Sequence, residues 1–415
     1  MSNVPESLNF AKRCEFSLEV DNINSTIPIT DTVFTIQDSI YQLYPKATFS
    51  IKDTSGMYNE FLTLTNGTKI KLSWGKTKED WKHCTYTVID QSMPEQNNPN
   101  SWGGNLELSL IHEYFYNQTK ESKAFDNNIS DIVSELANKY PFKKINIDNT
   151  LNSGKWYQTY LTDADFIINR LMPFAYSTDC KNTPFYCFID SNNNFNLKNY
   201  KNMSQQNPIF EYRYKSKGIP QAAEDNTIIN ISFAQCKVAD LKPNYKRLTG
   251  HFDKEGKWQK LSENKITNYP SDEKNPIPIK ANTDVCTDVF HCYDFDVEDD
   301  ETKNNNLGQE INNMKFNMNI DKFIITVPFN REITAGCVIS LKLPSTQNGT
   351  KSSEMSLRFS GNYVVESTFH KWDGRQAITM LVCGKQSVKL TGNYRNLSLI
   401  CNREKGNKSY GLKII

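Results

Sequence analysis

The chain contains five histidines, His83, His112, His251, His291 and His370, and ten cysteines. None of the histidines stands in a His-Glu-x-x-His arrangement, the spacing that sets two imidazoles on one helix face for zinc. His83-Cys84 offers half a metal site. The best candidate cluster is Cys286, His291 and Cys292, followed by Asp294. Thiolates and imidazoles suit zinc, yet structural zinc sites bring close ligand pairs and no Cys-x-x-Cys occurs. Ordinary thiols beside a surface histidine are the alternative, and no metal is assigned. Cys180 and Cys187 flank the start of a strand, a position that suits packing. The acidic run DFDVEDDET at 294–302 lacks the spacing and glycine of an EF-hand loop and reads as a solvated loop.

No glycine-rich phosphate loop and no Gly-x-Ser-x-Gly elbow is present, so no cofactor and no catalytic residue is assigned. Paired carboxylates for sugar hydrolysis stay open, because 47 acidic residues always permit a pair. Asp163 and Asp165 have a sufficient role at a helix start. Trp74, Trp102 and Trp372 could stack on sugars or pack at a subunit contact. The formal net charge of +1 disfavours binding nucleic acid through a strongly basic surface. No apolar run approaches a membrane span, and the opening MSNVPESLNFAKRCEF has no apolar signal core. Stable membrane insertion is therefore not expected, and the cysteines read as reduced cytosolic thiols.

The elements that would carry such residues are mostly strands. At 415 residues the chain exceeds one compact core and predicts two to four domains. Mean hydropathy is -0.62, but aromatics reach 12%, too many for a disordered chain. EFSLEV, ATFSIKD, TKIKLSWG and NLELSL alternate with period two between turn signals, predicting a small antiparallel β-barrel or sandwich over residues 1–119. Near residue 120 the period changes. Ile129, Ile132, Val133, Leu136, Ala137 and Tyr140 fall at helical spacing, with Asn128 as cap and Pro141 as stop. Thr162 and Asp165 form a capping box for a second helix. Its stripe is Ile167, Ile168, Leu171, Met172 and Ala175, and Pro173 breaks it. FYCFIDSNNNFNLKNY predicts a hairpin. Residues 120–205 thus form an α+β insertion, and 206–245 are strands expected to return to the first barrel. Residues 246–317 read as irregular and loop-rich. A second β module spans 318–390, opened by an Ala335-Gly336 turn, and 391–415 form a tail.

The final hairpin, FSGNYVVESTFHKWDGRQAITMLVC, turns at Asp373-Gly374. Its second strand is apolar on both faces, with Ile378, Met380 and Val382 on one and Ala377, Leu381 and Cys383 on the other. A one-sided sheet alternates, so both faces of this strand are expected to be covered.

Four stretches in this order resemble the central baseplate hub proteins of contractile phage tails, a family shared with type VI secretion spikes and other contractile injection systems. YPKATFSIKDTSGMYNEFLTLTNGTKIKLSWG is similar to the first barrel. KWYQTYLTDADFIINRLMPFA resembles the insertion helix through Gln158, Thr162, Asp163, Asp165, Phe166, Arg170 and Leu171. NREITAGCVISLKL resembles the opening of the second barrel, with Ala335-Gly336 where the family has Pro-Gly. SGNYVVESTFHKWDGRQAITMLVC is similar to the closing hairpin. The resemblance covers residues 15–385. It implies a mainly β fold with two similar small barrels and an α+β insertion, assembling as a ring-shaped homotrimer. It further implies a non-enzymatic adapter in the virion baseplate, assembled in the host cytoplasm. The hexameric tail tube or its initiator proteins, the tape-measure protein and surrounding wedge proteins would be partners. The trimeric central spike would be a separate polypeptide, since no β-helix repeat is present. Met380, Leu381, Val382 and Trp372 are the expected interface residues. Two other readings stay open, a tail-associated cell-wall hydrolase and a carbohydrate-binding tail protein.

Overall fold

The computed structural model describes residues 15–20, 25–27, 32–52, 64–75, 82–92, 105–151, 153–177, 183–214, 226–236, 245–252, 256–266, 286–291, 308, 321–344, 355–356, 359–373 and 377–385. Their architecture is mainly β. The first strands are β1 (Glu15–Val20), β2 (Ser25–Ile27), β3 (Thr32–Ser39), β4 (Lys46–Lys52), β5 (Lys69–Gly75), β6 (Lys82–Ser92) and β7 (Asn105–His112). They pair antiparallel in the order β3-β4-β7-β6-β5-β1-β2. The alternation in the sequence sets their faces: Phe34, Phe49, Ile51, Leu72, Trp74 and Leu108 all point into one core.

The insertion holds β8 (Glu121–Asn128), α1 (Ile129–Ala137), β9 (Lys144–Ile147) and β10 (Ser153–Leu161). It continues with α2 (Asp163–Phe166), β11 (Phe185–Ile189), β12 (Asn194–Asn199) and α3 (Tyr200–Ser204). α1 buries Ile129, Ile132, Val133, Leu136 and Ala137, as its spacing predicts. Its cap differs from expectation. Asn128 makes no side-chain cap bond, and Ser130 N–H is instead taken by the Thr150 hydroxyl at 3.0 Å. Thr162 caps α2 as expected: its Oγ1 accepts from Asp165 N–H at 3.1 Å, while the Asp165 carboxylate takes the Thr162 hydroxyl at 2.8 Å in place of the reciprocal backbone bond of a full capping box. Thr162→Ala is expected to cost about 0.5–2 kcal/mol in denaturant unfolding and to leave the oligomeric state unchanged. α2 then widens into a π-helical turn, Ile167–Leu171, where Met172 N–H reaches Ile167 C=O at 2.9 Å. The wider turn shifts the buried stripe, so Ile168 is exposed while Ile167, Leu171, Met172 and Ala175 are buried.

The remaining strands are β13 (Phe210–Arg213), β14 (Asn230–Cys236), β15 (Tyr245–Phe252), β16 (Trp258–Ile266) and β17 (Cys286–His291). Last come β18 (Asp321–Pro328), β19 (Val338–Lys342), β20 (Gly361–Trp372) and β21 (Ala377–Lys385). Two expectations need correction. The described strands of 206–245 do not pair with the first strands. β13 pairs parallel with β19 and β14 antiparallel with β18, and Tyr212 and Ile228 fill the second core. Period-two patterning marks a strand but not its partner, which the tertiary fold decides. Nor is 246–317 wholly irregular, because β16-β15-β17 form a small sheet. Sequences such as YKRLTGHF and WQKLSENKI mix charged and apolar residues, which dilutes the period-two signal.

The second strand group pairs as β13-β19-β20-β21-β18-β14. A bridge between Arg213 and Thr227 brings the segment before β14 back to β13. β20 joins both groups. Its first residues pair with β19, and Ser367–Trp372 pair with β3. One 13-stranded sheet therefore runs through both cores. Trp372 and Ala377 lie in the first core, whereas Tyr363, Val365, Leu381 and Cys383 lie in the second.

Candidate functional site

Strand alternation divides the β20–β21 hairpin into two unlike faces. On β21, Ala377, Thr379, Leu381 and Cys383 are buried, and the residues between them, Ile378, Met380 and Val382, are half-exposed. Register carries the second face across its neighbours. Met380 stands opposite Phe369 on β20 and Thr326 on β18, and Val382 opposite Ile324. On β3, Gln37 stands opposite Phe369. Phe369, Ile324, Ile378, Met380 and Val382 thus form an apolar, half-exposed patch that belongs to none of the described core clusters.

Toward the other end of the same sheet the insertion supplies a cover. Tyr186, Phe188, Tyr200 and Met203 pack with Val338 and Val364. Gly336 makes this approach possible. Its φ of +82° is left-handed, and a Cβ there would lie 2.5 Å from Phe188 Cζ. Gly336→Ala is expected to destabilise by about 2–4 kcal/mol in chemical unfolding, through strain and overpacking together. Beside this contact the Lys322 ammonium meets Glu366 at 2.8 Å, both largely buried, and lies 5.5 Å from the Tyr41 ring. Burial pushes the Tyr41 phenol above its ordinary value, and the Glu366 charge adds to the shift.

No protein-family model and no curated protein matches the sequence. Solved structures do. The 43 kDa tail protein of prophage MuSo2 from Shewanella oneidensis aligns at a TM-score of 0.57 with 9% identity, over 90% of this chain and 98% of that one. A tail protein from Neisseria meningitidis MC58 aligns at 0.54 with 10% identity, over 90% and 97%. The chain has the fold of these tail proteins.

Within this tail-protein fold the expected interface residues separate. Met380 and Val382 lie on the half-exposed patch, but Leu381 is fully buried in the second core and Trp372 in the first. Leu381 alternates inward and Trp372 caps the first core at the hairpin tip, so neither offers a surface to a neighbour. Trp74 is likewise a core residue, and Trp102 lies outside the described residues. Ile324, Phe369 and Ile378 complete the patch. The signal for Ile324 was present in FIITVPF, which is apolar at successive positions as β21 is.

Several of the described residues with potential chemistry make structural contacts. His83 Nδ1 lies 2.7 Å from Ser73 Oγ, and His370 Nδ1 lies 3.1 Å from Thr379 Oγ1. His112 Nδ1 accepts from Tyr114 N–H at the start of a short 3-10 turn, and burial lowers its pKa to about 4. Asp163 is buried at the start of α2, where it takes Lys139 at 2.9 Å and Gln158 Nε2 at 3.1 Å. Cys187 is buried. Only the backbone of Cys286 and His291 is described, in β17, and Cys292 lies outside the described residues. Among the described residues no group of three or more His, Cys, Asp or Glu could hold a metal, and no helix is long and apolar enough to cross a membrane.

Proposed function

We propose that this protein is the central hub of a tail baseplate, a structural virion protein that acts as a ring-shaped homotrimer. The observation that carries the reading is the apolar patch on β18, β20 and β21, set in a fold shared over nine-tenths of the chain with tail proteins. A sheet whose face is covered by the insertion at one end and left apolar at the other suits a wall between a subunit and its neighbour. The two strand groups then act as two small barrels per subunit, approximately 1–119 and 318–390, with 206–245 assigned to the second. Three subunits would give a ring of near-sixfold symmetry at one end. That end would meet the hexameric tube and the other the trimeric spike, around a channel for genome or tape measure. No catalytic role is assigned.

Mass photometry of the purified chain, with a low-resolution image of the particle, tests this reading. A species of three chain masses with threefold symmetry and a central hole is expected. A monomer at micromolar concentration, or a particle that clears peptidoglycan, would remove the hub reading in favour of a tail-associated hydrolase.

A further inference from the structure

Asp38, on β3, is fully buried. It is where three parts of the chain meet. Its Oδ2 accepts from Ser191 N–H, in the β11–β12 turn of the insertion, at 3.0 Å. The same oxygen accepts from Ala335 N–H, in the turn before β19, at 3.1 Å. Oδ1 is buried without a hydrogen-bond partner. In register with Asp38 on β20 stands Thr368, fully buried, whose hydroxyl also has no partner. Asp38 Oδ1, the Thr368 hydroxyl and the Ser191 hydroxyl are thus buried and unsatisfied around one junction, which is costly.

The groups that face Asp38 offer no positive charge. From the insertion comes the Asp190 carboxyl, whose own pKa burial raises and which Asn192 and Asn194 hold. Tyr86 on β6 and Cys337 in the turn before β19 feel the Asp38 charge, and burial raises the pKa of each. His112, near Asn193, titrates around 4 because it is buried. Burial, helped by the nearby Asp190 charge, outweighs the Ser191 and Ala335 N–H bonds and the nearby Ser191 hydroxyl and raises the Asp38 pKa from 3.8 to about 7.

We propose that Asp38 is a proton-operated latch that clamps the insertion and the second strand group to β3 when its carboxyl is neutral and loosens when it ionises. The neutral acid keeps one oxygen as acceptor for Ser191 and Ala335 and gains an O–H to donate. The ionised acid places a charge beside Asp190 in a site without a described cation. Because the folded-state pKa lies above the unfolded value, the stabilisation is full below about pH 4 and is lost as pH rises through 7. The junction is therefore tighter in mild acid than in mild base.

Hydrogen exchange of the full chain at pH 5.5, 7 and 8.5, corrected for intrinsic rates, reads the latch in peptides spanning 185–199 and 333–340. Protection is expected to fall at least about tenfold across this range and to level off above the Asp38 pKa, while α1 changes little. Asp38→Asn keeps an acceptor and carries no charge, so its protection should vary much less with pH, Asp190 being another buried acid at the junction. A flat wild-type profile, or a pH dependence undiminished in Asp38→Asn, overturns the proposal. Should Asp38→Asn fail to fold, Asp190→Asn serves instead. Removal of the facing charge must then make the loss of protection level off at lower pH than in the wild type, and an unmoved profile overturns the latch. Protection restored at pH 8.5 by calcium would reassign the site to a cation and likewise refute proton control.

Discussion

Leu381→Asp is expected to unfold the second strand group, whereas Met380→Asp leaves a folded subunit that no longer assembles. The two residues are neighbours on β21 but point opposite ways. Leu381 is fully buried between Ile325 and Thr368, its register partners. A carboxylate there has no route to water and costs several kcal/mol or forces the sheet open. That approaches the whole stability of an ordinary domain, roughly 5–15 kcal/mol. Met380 is half-exposed between Phe369 and Thr326. In an isolated subunit its substitute reaches solvent, so folding survives, but a dry contact with a second subunit would strand the charge. Circular dichroism and light scattering separate the outcomes. A folded trimer of Met380→Asp with unchanged stability would show this face to be free in the assembly, and the patch would lose its proposed role.

Lys322→Met should cost about 3–5 kcal/mol, the usual penalty for removing one partner of a buried ion pair. Glu366 is almost wholly buried and holds Lys322 at 2.8 Å. It sits where the register of β20 shifts between Val365 and Ser367, and its backbone carbonyl accepts from Ile40 N–H at 2.9 Å. Loss of its cation therefore disturbs the place where the two strand groups join. The double variant Lys322→Met with Glu366→Gln removes both charges and should recover most of the loss. Urea unfolding of Lys322→Met, Glu366→Gln and the double variant forms the test. A single-variant penalty below about 1 kcal/mol would class the pair with solvent-screened surface bridges.

Local periodicity determined the element types. Alternation in β1, β4, β5 and β7 marked the strands and their inward faces, because side chains in a strand repeat every two residues. The 3.6-residue stripe gave α1 its buried face, and the Thr162-Asp165 spacing gave α2 its cap. The sequence also flagged β21 as apolar on both sides. Only the tertiary structure turned Ala377, Leu381 and Cys383 into the core and left Ile378, Met380 and Val382 partly exposed, since alternation names two faces without saying what covers either. The same limit explains β13 and β14, read as strands but given the wrong partners, because pairing is a long-range choice that local pattern does not encode. It explains the Thr150 cap on α1, supplied from 20 residues away. Asp38 carried no sequence signal, because an aspartate at a strand end ordinarily faces water. Only the packing of the insertion and the second strand group around it removes that water and turns it into a buried acid.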